Sequence, residues 1–200
     1  MLAIKICIVF FVAYLIGSIP TGFIIVKLFK GQDIRQIGSG STGATNVKRV
    51  MGTKWFFIVM LLDAFKGALP VLLANHFYGT AHLGLYGVIA AIAVILGHSK
   101  SIFLKFTGGK SVASGVGTIL ALSWQVGLIT AVIWGLITYF SKYVSVGSII
   151  ALAISPVLMY LFHKPLGYVA YCLLGAFYII WLHRENIKRL INGNENKVRQ

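Results

Sequence analysis

The sequence predicts an all-α fold, a polytopic bundle of membrane helices, on three observations. Hydrophobic residues make up 58% of the 200-residue chain and charged residues 11%, against roughly 25% charged in a soluble domain. Mean hydropathy is +0.87. The apolar residues are gathered into stretches of the length a membrane helix needs, about 20 residues within a range of roughly 17–25. That leaves no room for a separate soluble domain, so a single domain over residues 1–200 is expected.

Seven transmembrane helices are expected, near residues 4–29, 54–76, 82–98, 112–124, 126–141, 145–162 and 165–183. The first stretch is long enough to span, and no small-residue cleavage pattern follows it, so it is not a removable signal peptide. Residues 112–141 carry little polarity and would also suit one long helix. Charge placement favours two. With seven crossings and the N-terminus outside, the basic residues of 30–54, 100–110, Lys142 and the tail from Arg184 to Arg199 all lie inside, leaving Lys5 and Lys164 outside. The C-terminus is then cytoplasmic. Small residues Ser114, Gly115, Gly117 and Ala121 suit the fourth helix to close helix contact. Asp63 and Lys66, one turn apart in the second crossing, are expected to pair and so lower their burial cost.

Composition also excludes several function classes. The net charge is +14, but the basic residues sit in short loops beside apolar helices without an interleaved aromatic platform, so nucleic acid is not the expected partner. Cys7 and Cys172 lie singly within apolar segments, with neither a disulfide framework nor metal-ligand spacing. No metal and no cofactor are expected.

Three polar segments on the expected inner face carry the chemistry. Gly38-Ser-Gly-Ser-Thr-Gly-Ala-Thr-Asn-Val-Lys-Arg49 offers backbone N–H groups and hydroxyls with two cations behind them, the makings of a phosphate cradle. The second runs from Gly97-His98 to Gly108-Gly109-Lys110-Ser111. Its end is like that of a nucleotide-binding loop, but the earlier glycine and the preceding soluble strand are missing. What remains is a lysine between two glycines and the start of a helix, where N–H groups and the helix dipole attract an anion. In the third, His183 and Asn186 are three apart and share a helix face, with Arg184 and Lys188 as a neighbouring basic stripe. Ser148 lies in a smaller polar break beside Lys142; a serine in a membrane helix more often bonds its own i−4 carbonyl than a substrate.

In order along the chain, Tyr14-Leu-Ile-Gly-Ser-Ile-Pro-Thr-Gly22, the Gly38–Arg49 loop, Gly97-His98 with Phe103 to Lys110, Ser148, and His183-Arg-Glu-Asn186 with Gly193 and Glu195 resemble the bacterial acyl-phosphate:glycerol-3-phosphate acyltransferases of phospholipid synthesis. The family usually has Asn-Pro at Ser41-Thr42 and Lys-Gly-Gly-Lys-Gly at Thr107–Ser111, which weakens any role for side chains at 41, 42, 107 and 111. The resemblance implies acyl transfer from acyl phosphate to the 1-hydroxyl of glycerol 3-phosphate, giving lysophosphatidic acid and phosphate as the first acylation of phospholipid biosynthesis. No coenzyme A or acyl carrier protein would be needed. The expected setting is the bacterial inner membrane, with membrane lipid around the chain and the active site on the cytoplasmic face.

The candidate catalytic residues are His183, Asn186, Ser39 and Lys110. The candidate phosphate-binding residues are Ser39, Gly40, Thr45, Asn46, Arg49, His98, Gly108, Gly109, Lys110 and Ser148. Acyl phosphate is already activated, so positioning and oxyanion stabilisation are the main demands. The His-x₄-Asp dyad of a second acyltransferase design is absent, since no aspartate lies five residues beyond any of the five histidines. The hydroxyl proton then passes to His183 or to a substrate phosphate oxygen, the second being favoured, with His183 and Asn186 holding substrate. The rival class is a small transporter of phosphate-bearing solutes, which needs broken polar helices near the midplane. Here the polar groups lie at one membrane edge.

Overall fold

The first apolar stretch folds as two helices rather than one. In the computed structural model, which describes residues 2–198 (backbone only at 81–83), α1 (Leu2–Ser18) and α2 (Thr21–Lys30) part at Ile19-Pro20. Proline has no N–H to continue the helical ladder. The carbonyls left over find side chains: Lys66 Nζ donates to the Ile19 oxygen and Ser101 Oγ to the Ser18 oxygen, both at 2.6 Å. In hydrocarbon such groups must be satisfied internally. Lys66 also meets Asp63 at 2.9 Å, the pair expected from their spacing. Arg199, part of the basic tail, lies outside the described residues.

The helices that follow are α3 (Ala44–Met51), α4 (Thr53–Tyr78), α5 (Ala81–Ser99), α6 (Val112–Leu122), α7 (Trp124–Ser141), α8 (Val144–Leu161), α9 (Leu166–Leu182) and α10 (Arg184–Ile191). Residues 112–141 do divide in two, with Ser123 extended between α6 and α7. Beyond helices and turns, one isolated bridge pairs Ser101 with Thr107 among the described residues.

Packing rests on small residues. A Cβ on Gly17 of α1 would strike the backbone of Val94 on α5, and one on Gly117 of α6 would strike the backbone of Ala64 on α4. These contacts bring helix axes closer than larger side chains allow. A central core of Val71, Val94, Ile119, Leu152, Met159 and Ile179 joins α4, α5, α6, α8 and α9. A smaller one, with Val26, Ile34, Val47 and Val59, seats α2 and α3 against α4. Large apolar residues such as Phe57, Phe65 and Leu72 on α4 and Leu128, Val132 and Leu136 on α7 face outward, as lipid-facing surfaces do.

The count of seven transmembrane helices is corrected by helix length. Among the described residues, four segments are long and apolar enough to cross: Leu2–Lys30, Thr53–Tyr78, Trp124–Ser141 and Val144–Leu161. A fifth arises only if α9 and α10, bent by 59°, are taken as one broken span. α6 has 11 residues, about 16 Å at the helical rise of ~1.5 Å per residue, roughly half of a ~30 Å hydrocarbon core. Counting apolar stretches overlooked that polar loops consume their ends, and the orientation argued from seven crossings goes with the count.

Candidate active site

The glycine-rich loop is built around Asn46. This buried side chain on α3 accepts the Ser39 N–H at 3.1 Å and donates to the carbonyls of Ile34, Ile37 and Ser41 at 3.3, 2.9 and 2.9 Å. Gly40, at φ +67°, makes the turn that a side chain would strain. The loop thereby carries Ser39, Thr45 and Arg49 to one wall of a cavity of about 430 Å³.

The second loop is folded onto His98 at the end of α5. The Gly109 N–H donates to the His98 carbonyl at 3.1 Å, and Cβ atoms at Gly108 or Gly109 would collide with His98 itself. His98 Nδ1 lies 3.1 Å from Ser114 Oγ and 3.6 Å from Asp63 Oδ1. Serine and aspartate both address the same ring nitrogen, so the three do not form a nucleophile–base–acid relay, which requires the two ring nitrogens separately. The cluster instead supports the segment that delivers Lys110.

From Lys110 a continuous chain of bonds runs into the C-terminal region. Lys110 Nζ donates to Asn186 Oδ1. Asn186 Nδ2 donates to Glu195 Oε1 at 2.6 Å, Arg189 Nε to Glu195 Oε2 at 2.7 Å, and Ser145 Oγ to Oε1 at 3.0 Å. Burial pushes the Lys110 ammonium down to about 8, and Arg189 and Arg49 add to this while Glu195 opposes it. Burial alone would raise the Glu195 carboxyl, but its bonds from Asn186, Arg189 and Ser145 outweigh that and hold it below the usual range. His183, at the α9–α10 bend, has Nδ1 2.8 Å from the Ile179 carbonyl. A carbonyl only accepts, so Nδ1 carries the proton and Nε2 of the neutral ring is the acceptor.

Ser39, Thr45, Asn46, Arg49, His98, Lys110, Ser148, His183 and Asn186 all line the one cavity; Gly40, Gly108 and Gly109 shape its loops without lining it. Besides the bonds of Lys110, Asn186, His98 and His183 given above, two more lining side chains have partners. Asn46 holds its own loop, and Ser148 Oγ donates to the Val144 carbonyl at 2.8 Å while accepting Trp134 Nε1 at 3.2 Å. Arg189, Glu195 and Ser145 are lining residues the sequence reading passed over. Arg189 was visible as Asn186 plus three on the same helix face, whereas Arg184 and Lys188 point to solvent. Glu195 was legible only as a match to the family's pattern, with no role attached, because it approaches from an irregular tail.

Beyond the polar groups the cavity is walled by Phe56, Met60, Leu61, Ala64, Val112, Ala113, Val116, Leu120, Ala131 and Trp134. The two ends differ in kind: one suits phosphate, the other a hydrocarbon chain.

A family model described as glycerol-3-phosphate acyltransferase matches residues 7–193. The chain belongs to that family. Among its relatives, the glycerol-3-phosphate acyltransferase of Nostoc sp. is 46% identical over 204 residues, covering 94% of this chain and 90% of the relative. That of Prochlorococcus marinus is 46% identical over 195 residues, covering 96% and 97%. The fold matches the crystal structure of PlsY, an integral membrane glycerol 3-phosphate acyltransferase, in its glycerol 3-phosphate form, with TM-score 0.91, 36% identity, and 97% and 96% of the two chains covered. Its lysophosphatidic acid form matches with TM-score 0.89 and 34% identity. This family member is thus a multi-pass protein of the inner membrane. At three positions where its motifs depart from the family's usual pattern, the side chain bonds backbone, nearby for Ser41 and Thr107 and on α5 for Ser111. Ser41 Oγ accepts the Gly43 N–H, Thr107 Oγ1 donates to the Leu104 carbonyl, and Ser111 Oγ donates to that of Ile95.

Proposed function

We propose that the chain, working as a single membrane domain, transfers a fatty acyl group from acyl phosphate to the 1-hydroxyl of glycerol 3-phosphate in this cavity. The observation that carries the reading is the joining of a cationic end (Arg49, Lys110, Arg189) to an apolar end in one space. Both substrates bear phosphate, and one also bears a hydrocarbon tail. The hydroxyl oxygen forms the new bond to the acyl carbon, the bond from that carbon to the phosphate oxygen breaks, and inorganic phosphate leaves. A planar guanidinium fork and a compact ammonium suit the two phosphates. Ser39 and the N–H groups near it donate to developing negative charge. His183 and Asn186 hold glycerol 3-phosphate, and the hydroxyl proton passes to a phosphate oxygen; His183 Nε2 is the alternative acceptor.

The cavity faces the cytoplasm in this reading, because the basic residues around it (Arg35, Lys48, Lys54, Lys105, Lys188) follow the charge bias of cytoplasmic segments. The decisive experiment incubates purified protein with palmitoyl phosphate and labelled glycerol 3-phosphate. Lysophosphatidic acid and phosphate should form in equal amounts, and palmitoyl-CoA should fail as donor. Acylation from the thioester alone would overturn the donor assignment.

A further inference from the structure

Acyl phosphates react with water as well as with alcohols, so a transferase of this kind must keep water from the acyl carbon. Phe56 on α4 and Trp134 on α7 stand where such protection is needed. Their rings stack across the cavity with centroids 6.5 Å apart and planes within 14°, inside the range of favourable aromatic pairs. Phe56 is buried, 9% exposed. The one polar atom of Trp134, Nε1, is tied to Ser148 Oγ at 3.2 Å, which fixes the ring.

The location along the cavity matters more than the contact. On α8, Ser145 holds Glu195 and so belongs to the phosphate-binding end. Ser148 comes one helical turn later, about 4.5 Å along the axis, and holds the indole. Beyond the rings the cavity is lined by Met60, Leu61 and Ala64 of α4 and Ala131 of α7, and the one acidic group on that stretch of α4, Asp63, is already engaged by Lys66 and Thr21. The pair therefore marks the boundary between headgroup and tail, and a molecule with a phosphate at one end and a hydrocarbon at the other has its carbonyl at that boundary.

We propose, building on the acyl-phosphate reading above, that Phe56 and Trp134 form a water-excluding aromatic cover over the acyl carbonyl and so direct the acyl group to glycerol 3-phosphate rather than to water. In the suppressed side reaction a water oxygen bonds to the acyl carbon, the carbon–oxygen bond to phosphate breaks, phosphate departs with the electron pair, and a water proton is released. The products are fatty acid and phosphate. Ser148 is a positioning residue in this arrangement, acting through Trp134.

The test measures a ratio rather than a rate. Full-length protein in detergent micelles is given palmitoyl phosphate with and without glycerol 3-phosphate, and phosphate, fatty acid and lysophosphatidic acid are all counted. In the wild-type protein, phosphate should track lysophosphatidic acid. Phe56→Ala and Trp134→Ala should raise fatty acid relative to lysophosphatidic acid about tenfold, a barrier difference on the order of 1.4 kcal/mol. Trp134→Phe, which keeps a ring, should stay nearer the wild-type ratio. Phe56→Leu and Ser148→Ala are milder changes and should shift the ratio in the same direction by less. An unchanged ratio in the alanine variants, with thermal unfolding still cooperative, would mean that the rings only pack, and the proposal is wrong. If the alanine variants do not fold, an unchanged ratio in both Phe56→Leu and Ser148→Ala overturns it equally. Failure of the wild-type protein to form lysophosphatidic acid from palmitoyl phosphate would overturn the acyl-phosphate reading, and the cover with it.

Discussion

Lys110 is the residue whose chemistry the fold changes most usefully. Its ammonium is partly withdrawn from water and faces Arg189 and Arg49, which brings its ordinary high value down to about 8. A lysine with a lowered value is charged below it and neutral above it, so phosphate binding that needs the charge is lost as pH rises through about 8. The pH profile of kcat/KM, which reports the free enzyme, should therefore fall on the alkaline side near that value. Lys110→Arg should move the fall beyond the measurable range, because a guanidinium stays charged. An alkaline limb unchanged in Lys110→Arg would assign it elsewhere. His183 poses the other residue-scale question. If a phosphate oxygen takes the proton, His183→Gln should regain much of its rate at saturating glycerol 3-phosphate and acyl phosphate. A loss of about a hundredfold or more at saturation would instead make the imidazole the base.

At the scale of elements, the glycine-rich loop depends on one amide. Asn46 uses both ends of its side chain to close the loop, so Asn46→Ala takes their partner from the Ser39 N–H and the Ser41 carbonyl, while the Ile34 and Ile37 carbonyls keep the N–H groups of Ile37 and Gly40. Each such group costs about 1–3 kcal/mol when water cannot reach it. Thermal unfolding in detergent should drop to lower temperature and KM for phosphate-bearing substrates should rise. A variant with unaltered melting and KM would remove Asn46 from its structural place. The legibility of the sequence is uneven at this scale for physical reasons. Long apolar stretches announce helices, and Gly108-Gly109-Lys110 and Gly38–Arg49 announce loops, because composition is local information. Pro20 signals a break locally, but the groups that satisfy it, the bend at His183 and the arrival of Glu195 are not local. They depend on partners tens of residues away, such as Lys66 for Ile19 and Ser145 for Glu195. The same limit explains the excess in the helix count: an 11-residue α6 reads as a span until its ends are seen to belong to Lys110 and Ser123.

For the molecule as a whole, the orientation of the cavity is the property to test. Gln36, Lys105 and Asn194 are exposed and lie on the three segments around the site. Single cysteines at these positions, with Cys7 and Cys172 replaced, should resist an impermeant thiol reagent in intact cells and react once the membrane is opened. Labelling of any of them from outside would place the cavity on the opposite face.

The interrupted first span also bears on the order in which the chain is assembled. Its carbonyl at Ser18 is claimed by a donor 83 residues further along, and that of Ile19, which also accepts the Thr21 N–H at 3.1 Å, by one 47 residues further along. While the ribosome has delivered only the beginning of the chain, those donors do not yet exist. An unmet carbonyl such as that of Ser18 is costly in hydrocarbon, so the newborn segment at Ile19-Pro20 is best kept in contact with water or the insertion machinery while Lys66 and then Ser101 emerge. Closure by Ser101 comes later still, with the loop that carries Lys110. The N-terminal hinge and the phosphate-binding loop thus complete one another, and a nascent chain has no finished active site until its fastening by a residue halfway along is made.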